Sequence, residues 1–158
     1  MNNHHIDENP STLPVEHIRN LVANYRSKQQ AYINQNMGFE DANSIHFDLR
    51  TLKKFISDME LLAKLEDPNI TDVDLGIRFY YAAYPEFPES SLPEDYALRH
   101  TLVLIPTINK EVEGEIKNMD YNPLENSLAP IVTDREILAL AQNHGTLSPP
   151  STNCIESY

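Results

Sequence analysis

GIRFYYAAYP, residues 76–85, and RHTLVLIPT, residues 99–107, decide the fold class. In the first run Ile77, Phe79, Tyr81 and Ala83 fall on one side of an extended chain, and Arg78, Tyr80, Ala82 and Tyr84 fall on the other. Strand side chains alternate with a period of two, and aromatic and β-branched residues suit that conformation. The second run is equally rich in such residues. The segment between them, Glu86 to Asp95, carries two prolines and several acids and reads as an exposed loop, so the simplest arrangement is an antiparallel pair. Pro106 cannot donate to a ladder and predicts an edge position or a strand end.

Working outward, SIHFD at 44–48 reads as a short strand, with Ile45 and Phe47 on one side and His46 on the other. Asp48 is placed to cap a helix whose apolar positions are Leu49, Leu52, Phe55, Ile56, Met59, Leu62 and Leu65, until Asp67-Pro68-Asn69 stops it. Phe55 and Leu52 are expected to meet Ile77 and Phe79 in the core. Upstream, Val15, Ile18, Leu21, Val22, Tyr25 and Tyr32 recur at helical spacing, with Thr12 as the expected N-cap and Pro14 in the first turn. Downstream, residues 109–130 have weak periodicity and read mostly as loop. Thr133 and Glu136 then form a capping box, Val132 and Ile137 a hydrophobic staple, and Gly145 the left-handed end of a third helix.

The expected elements are therefore helices over 14–34, 49–66 and 134–143 and strands over 44–47, 76–84 and 100–105. This is an α+β fold of order α-β-α-β-β-α, a small mixed or antiparallel sheet packed against two to three helices. Residues 1–13 read as a flexible N-terminal segment. Residues 14–158 read as a single domain with an irregular tail from about residue 146. At 158 residues the chain is close to the commonest domain size and long enough to bury a core without a disulfide or metal staple.

Composition narrows the function classes. The single cysteine, Cys154, excludes a disulfide framework within the chain and a zinc site built on several thiolates. The N-terminus has neither the basic flank nor the apolar centre of a signal peptide, and no apolar run reaches the roughly 18 residues of a membrane span, which points to the cytoplasm. The net charge of −12 opposes binding to nucleic acid or anionic membrane. The charge is also uneven: residues 57–98 hold ten acids against Lys64 and Arg78, a field that suits a basic protein partner or a cation, the plain alternative being solubility.

No phosphate-binding glycine loop, Cys-x-x-Cys, His-Glu-x-x-His or Gly-x-Ser-x-Gly motif is present, so no cofactor is expected and no catalytic residues emerge. His4 and His5 with Asp7 and Glu8 lie in the flexible segment and predict at most loose metal contact, so no metal site is assigned. His46 could join Asp48 and Arg50, but no nucleophile accompanies it. His144 with Cys154 is a possible thiol–imidazole pair by spacing alone. The most suggestive set is Arg78, Tyr80 and Tyr84 on one strand face with Arg99 and His100 opening the next strand. A guanidinium fork beside phenols and an imidazole suits a carboxylate, a phosphate or a protein contact. The structural alternative is that the tyrosines are sheet packing and Arg78 pairs with an acid such as Asp74.

SIHFDLRTLKKFISDME, GIRFYYAAYP, HTLVLIPT and NHGTLSPP together resemble a loosely defined group of small uncharacterised proteins common in Bacteroidetes. The resemblance covers about a third of the chain and implies no activity or catalytic residues. Members of that group often close on a Cys-Pro-Pro-like segment, where this chain has Leu147-Ser148-Pro149-Pro150. Three functional readings stay open: a non-enzymatic interaction domain, such as an accessory or inhibitory partner of a basic protein; a small-anion binder or enzyme using the Arg78 face; and an oligomeric structural subunit whose tyrosine-rich strand self-associates.

Overall fold

A computed structural model describes residues 11–125 and 138–158. It is an α+β fold in which a small antiparallel sheet system packs against two helices. The first helical stretch runs as α1 (Val15–Tyr25), a π-helical turn (Arg26–Gln30) and α2 (Ala31–Met37). Its N-cap is Pro14 rather than Thr12, and no side chain caps it. Gly38 ends it in the left-handed conformation (φ 75°), which costs glycine nothing. The π turn has a local consequence: Gln30 is buried, and its amide donates to the Asp41 carbonyl at 2.9 Å and to the Asn43 side chain. The helix is thereby tied to the loop that follows it.

Strand β1 (Ser44–His46) leads into α3 (Leu49–Glu66), capped as expected: Asp48 accepts from the Thr51 N–H at 3.0 Å. Those hydrogen bonds from Thr51 hold the Asp48 carboxyl below its ordinary range. The buried stripe of α3 is narrower than the sequence pattern, consisting of Phe55, Met59 and Ala63, while Leu49, Ile56 and Leu65 are exposed. Phe55 is buried as expected. Phe79 is 53% exposed and is not the core residue it was expected to be.

The larger sheet has the order β2 (Leu75–Ala83), β3 (His100–Val112), β4 (Glu115–Asp120), antiparallel throughout. Two expectations fail here. Residues 109–120 are not loop: β3 runs on to Val112, and Glu113 and Gly114, both at positive φ (56° and 81°), make the tight turn into β4. β4 lacks apolar alternation because all of it is exposed. Nor is the Pro106 strand an edge, since β3 is central. The Pro106 carbonyl accepts from the Tyr121 N–H at 2.9 Å, so its nitrogen points beyond the last residue of β4, where no ladder donor is required.

The expected third helix also fails over 138–143; its capping box and staple, and residues 134–137, lie outside the described residues. Gln142 instead exchanges both backbone hydrogen bonds with Leu104, extending the β4 side of β3. His144, not Gly145, takes the left-handed conformation (φ 67°), with its N–H on the Asn143 side chain at 2.7 Å. Gly145 is required by space: a Cβ there would lie 2.3 Å from Ile45 Cγ2 and 3.0 Å from the Phe47 ring. The tail expected from residue 146 begins as strand β5 (Thr146–Ser148), paired antiparallel with β1. Leu147 is fully buried with Ala42, Tyr84 and Tyr96, backed by Ile45 and Leu92. The end of the chain returns to the first helical stretch, where Arg26 pairs with Glu156 and donates to the Tyr158 carbonyl at 2.8 Å.

Both helical layers touch the same sheet face. Tyr25 reaches His100, and Tyr121 donates to Glu66 of α3 at 2.5 Å. By alternation, His100 and Tyr121 share the face of Leu104 and Pro106.

Candidate functional site

The register separates the residues that the sequence grouped. Arg78 and Tyr80 lie side by side on the face away from the helices and share one carboxylate, Asp120 of β4. Arg78 also donates to the Asn118 carbonyl at 3.0 Å. The Tyr80 hydroxyl and the nearby Asp120 raise the Arg78 pKa further above its already high value. The partner is thus Asp120 rather than Asp74, whose carboxylate serves Thr71 instead.

Tyr84 is buried in the cluster with Tyr96, ring centroids 5.7 Å apart, and donates to the Asn143 side chain at 3.1 Å. Thr101 donates to the same Asn143 oxygen at 3.0 Å. Arg99 ties loops together. It donates to the carbonyls of Asp95 (2.6 Å) and Glu40 and stacks over Phe39 at 5.2 Å.

His100 pairs with Ala83 and therefore faces the helices, opposite to Arg78 and Tyr80. Its Nδ1 lies 2.6 Å from Asp41 Oδ2, which makes Nδ1 the protonated nitrogen and leaves Nε2 facing the Tyr25 hydroxyl at 3.3 Å. Asp41 is 2% exposed, and its other oxygen accepts the N–H of Ala42 (2.8 Å) and of His100 (2.9 Å). Burial, then Asp41 and Tyr81, raise the Tyr25 pKa, so the phenol is neutral at pH 7. The carboxylate–imidazole–phenol order is that of a relay, but every polar group in it is satisfied within the fold. Its evident work is to lock the 39–43 loop and α1 to the start of β3.

Of the remaining sequence candidates, His46 stays beside Asp48, whereas His144 and Cys154 line different openings. His46 and His144 line one cavity of about 240 Å³ with Asp48, Thr51 and Thr146. Cys154 lines an adjoining groove with Glu156 that shares His46 and Thr146 with that cavity but does not include His144. His4, His5, Asp7 and Glu8 lie outside the described residues. Among the described residues, no group of three or more His, Cys, Asp or Glu side chains could hold a metal ion, and no helix is long and apolar enough to cross a membrane.

The feature that sequence reasoning missed is a backbone edge. Tyr84 N–H donates to the Arg99 carbonyl (3.0 Å) and Asn109 N–H to the Asp74 carbonyl (2.8 Å). Hydrogen-bonded pairs alternate along an antiparallel ladder, so the backbone groups of Gly76, Arg78, Tyr80 and Ala82 point at β3. Those of Ile77, Phe79, Tyr81 and Ala83 point away, and no described residue of the chain pairs with them. The side chains along this edge are open as well: Phe79 is 53%, Tyr80 43% and Tyr81 88% exposed.

The other edge differs. β4 carries Glu115, Lys117 and Asp120 within six residues, the charge pattern that guards a free strand. β2 carries over nine residues one charge, Arg78, which is folded across the sheet onto Asp120. Compared with protein-family models, curated proteins and solved structures, the chain matches none.

Proposed function

We propose that this protein is an interaction subunit that accepts an added β-strand on the open edge of β2. One observation carries the reading: a nine-residue, nearly uncharged strand presents backbone groups that no described residue pairs with, and three exposed aromatic side chains, at a sheet edge. Strand addition draws affinity from main-chain hydrogen bonds and selectivity from alternate side chains. An edge of this kind left bare invites unspecific pairing. This reading develops the oligomeric-subunit expectation. It gives the tyrosine-rich strand a task that needs no catalytic residue, and the carboxylate of Asp120 takes the place that a ligand anion would fill beside Arg78.

Amide hydrogen exchange tests it residue by residue. In the dilute chain the N–H groups of Ile77, Phe79, Tyr81 and Ala83 should exchange fast, while those of Arg78, Tyr80 and Ala82, bonded to β3, are protected. Adding a short synthetic peptide of alternating threonine and valine should slow the first set and leave the second unchanged. Equal protection of both sets in the dilute chain would mean that the edge is already covered, and the reading would fall.

A further inference from the structure

We infer that the strand added to β2 is the β2 of a second copy, paired antiparallel about a two-fold axis through Phe79; this rests on the strand-addition reading above. The register follows from the ladder. Among the described residues, Ile77, Phe79, Tyr81 and Ala83 turn unpaired backbone groups outward, and Leu75 turns outward too with its N–H on the Asp72 carbonyl (3.4 Å), so an added strand must bond through these odd-numbered positions. Centring the axis on Phe79, the middle of Leu75–Ala83, is the only choice that overlaps all nine residues. Phe79 then faces its own copy, Ile77 faces Tyr81 of the second copy, and Leu75 faces Ala83. These are aromatic and aliphatic cross-strand pairs that favour pairing. Arg78 faces Tyr80, whose ring and hydroxyl accept a cation, so no like charges meet within the strand. An axis through Arg78 would set two guanidinium groups opposite each other.

Closure supports the same partner. Self-pairing of β2 joins two three-stranded sheets into one six-stranded sheet whose outer edges are both β4, the strand guarded by Glu115, Lys117 and Asp120. The assembly therefore stops at two copies, as an isologous contact does. A single foreign strand that belongs to no sheet of its own would leave its outer edge bare. Electrostatics sets the expected salt dependence. The register brings Asp72 near Glu86 of the second copy at each end, and each copy carries a net charge of −12, so screening should tighten the dimer.

Sedimentation equilibrium of the full chain, from about 1 µM to about 1 mM, reads the association directly. A monomer–dimer equilibrium that strengthens with added salt is expected, and Phe79→Pro should weaken it at least about tenfold. That proline removes only an outward N–H, so the β3 ladder is kept; Phe79→Lys, which opposes two like charges on the axis, is the second variant should the proline variant fail to fold. The register is read by cross-linking in a Cys154→Ser background. Phe79→Cys places the two Cα atoms about 5.5 Å apart, within disulfide reach, and Leu75→Cys places them about 27 Å apart. Rapid covalent dimer from Phe79→Cys and none from Leu75→Cys is the expected result. A chain monomeric throughout, or cross-linking no faster for Phe79→Cys than for Leu75→Cys, overturns the inference. If the chain stays monomeric while the threonine–valine peptide still protects the outward amides, self-pairing falls and strand addition stands; if neither occurs, both fall.

Discussion

Replacing Asp41 separates two accounts of how the fold holds its first helix. The Asp41 carboxylate is buried and accepts three hydrogen bonds, two from the backbone N–H groups of Ala42 and His100 and one from His100 Nδ1. If acceptor count matters most, Asp41→Asn is mild. The amide oxygen keeps both backbone bonds, and the amide nitrogen donates to Nδ1 once His100 shifts its proton to Nε2, which then donates to Tyr25. The loss is only the difference between charged and neutral hydrogen bonds, about 1 kcal/mol. Asp41→Ala strands all three donors. At about 1–3 kcal/mol for each buried group left unpaired, discounted because His100 is half-buried and water reaches it, the expected loss is about 3–5 kcal/mol. Urea unfolding gives both values, and for a chain of this size the alanine variant should lower Tm by roughly 6–20 °C. If Asp41→Asn costs as much as Asp41→Ala, negative charge rather than acceptor count is what the site requires, and the reasoning is refuted.

Phe55→Ala should cost about 3–5 kcal/mol in urea unfolding, since Phe55 is buried on α3; a loss under about 1 kcal/mol would show that the ring does not fill the core. Gly145→Ala should cost about 1–3 kcal/mol because its methyl meets Ile45 and Phe47, and an unchanged midpoint would mean β1 moves aside freely. Arg78→Ala should stay within about 1 kcal/mol of the parent, since its pair with Asp120 is solvent-exposed; loss of the fold would assign that pair to the architecture. At alkaline pH the phenols of Tyr25 and Tyr121 act together. Burial raises both pKa values above 10, aided by Asp41 and Tyr81 for Tyr25 and by Glu66 for Tyr121. Their contribution is fully present below pH 10 and lost as pH rises through the raised values. Thermal unfolding should therefore show a falling Tm above pH 10, reduced in Tyr121→Phe.

Much of the fold was legible because it rests on local signals. The alternation of residues 76–84, the spacing around Phe55 and the Asp48 cap each act over a few residues, and each is found in place. Where the reading failed, the deciding partner lay far along the chain. The stretch from Leu138 reads as helix from a capping box and staple before it and Gly145 after it, yet the β4 side of β3 at Leu104 takes Gln142 as its partner. β4 carries no apolar period because neither face is buried, and only the Glu113–Gly114 turn announced it. Thr146–Ser148 are too few to show a pattern, but Leu147 completes a core with Ala42, Tyr84 and Tyr96.

The candidate site divides along the same line. From the sequence alone, Arg78 and Tyr80 share a face, because alternation is a property of any strand. Whether His100 and Arg99 join them depends on register, and a shift of one residue reverses every side chain. The pairing of Ala83 with His100 sends the imidazole toward Tyr25 and Asp41, and no local pattern carries that information. Nor can the sequence distinguish an edge strand from a central one, since β2 and β3 are similarly apolar. That difference is made by which backbone groups find partners from distant segments: among the described residues β3 finds them on both sides, in β2 and in β4 with Gln142, and β2 on one.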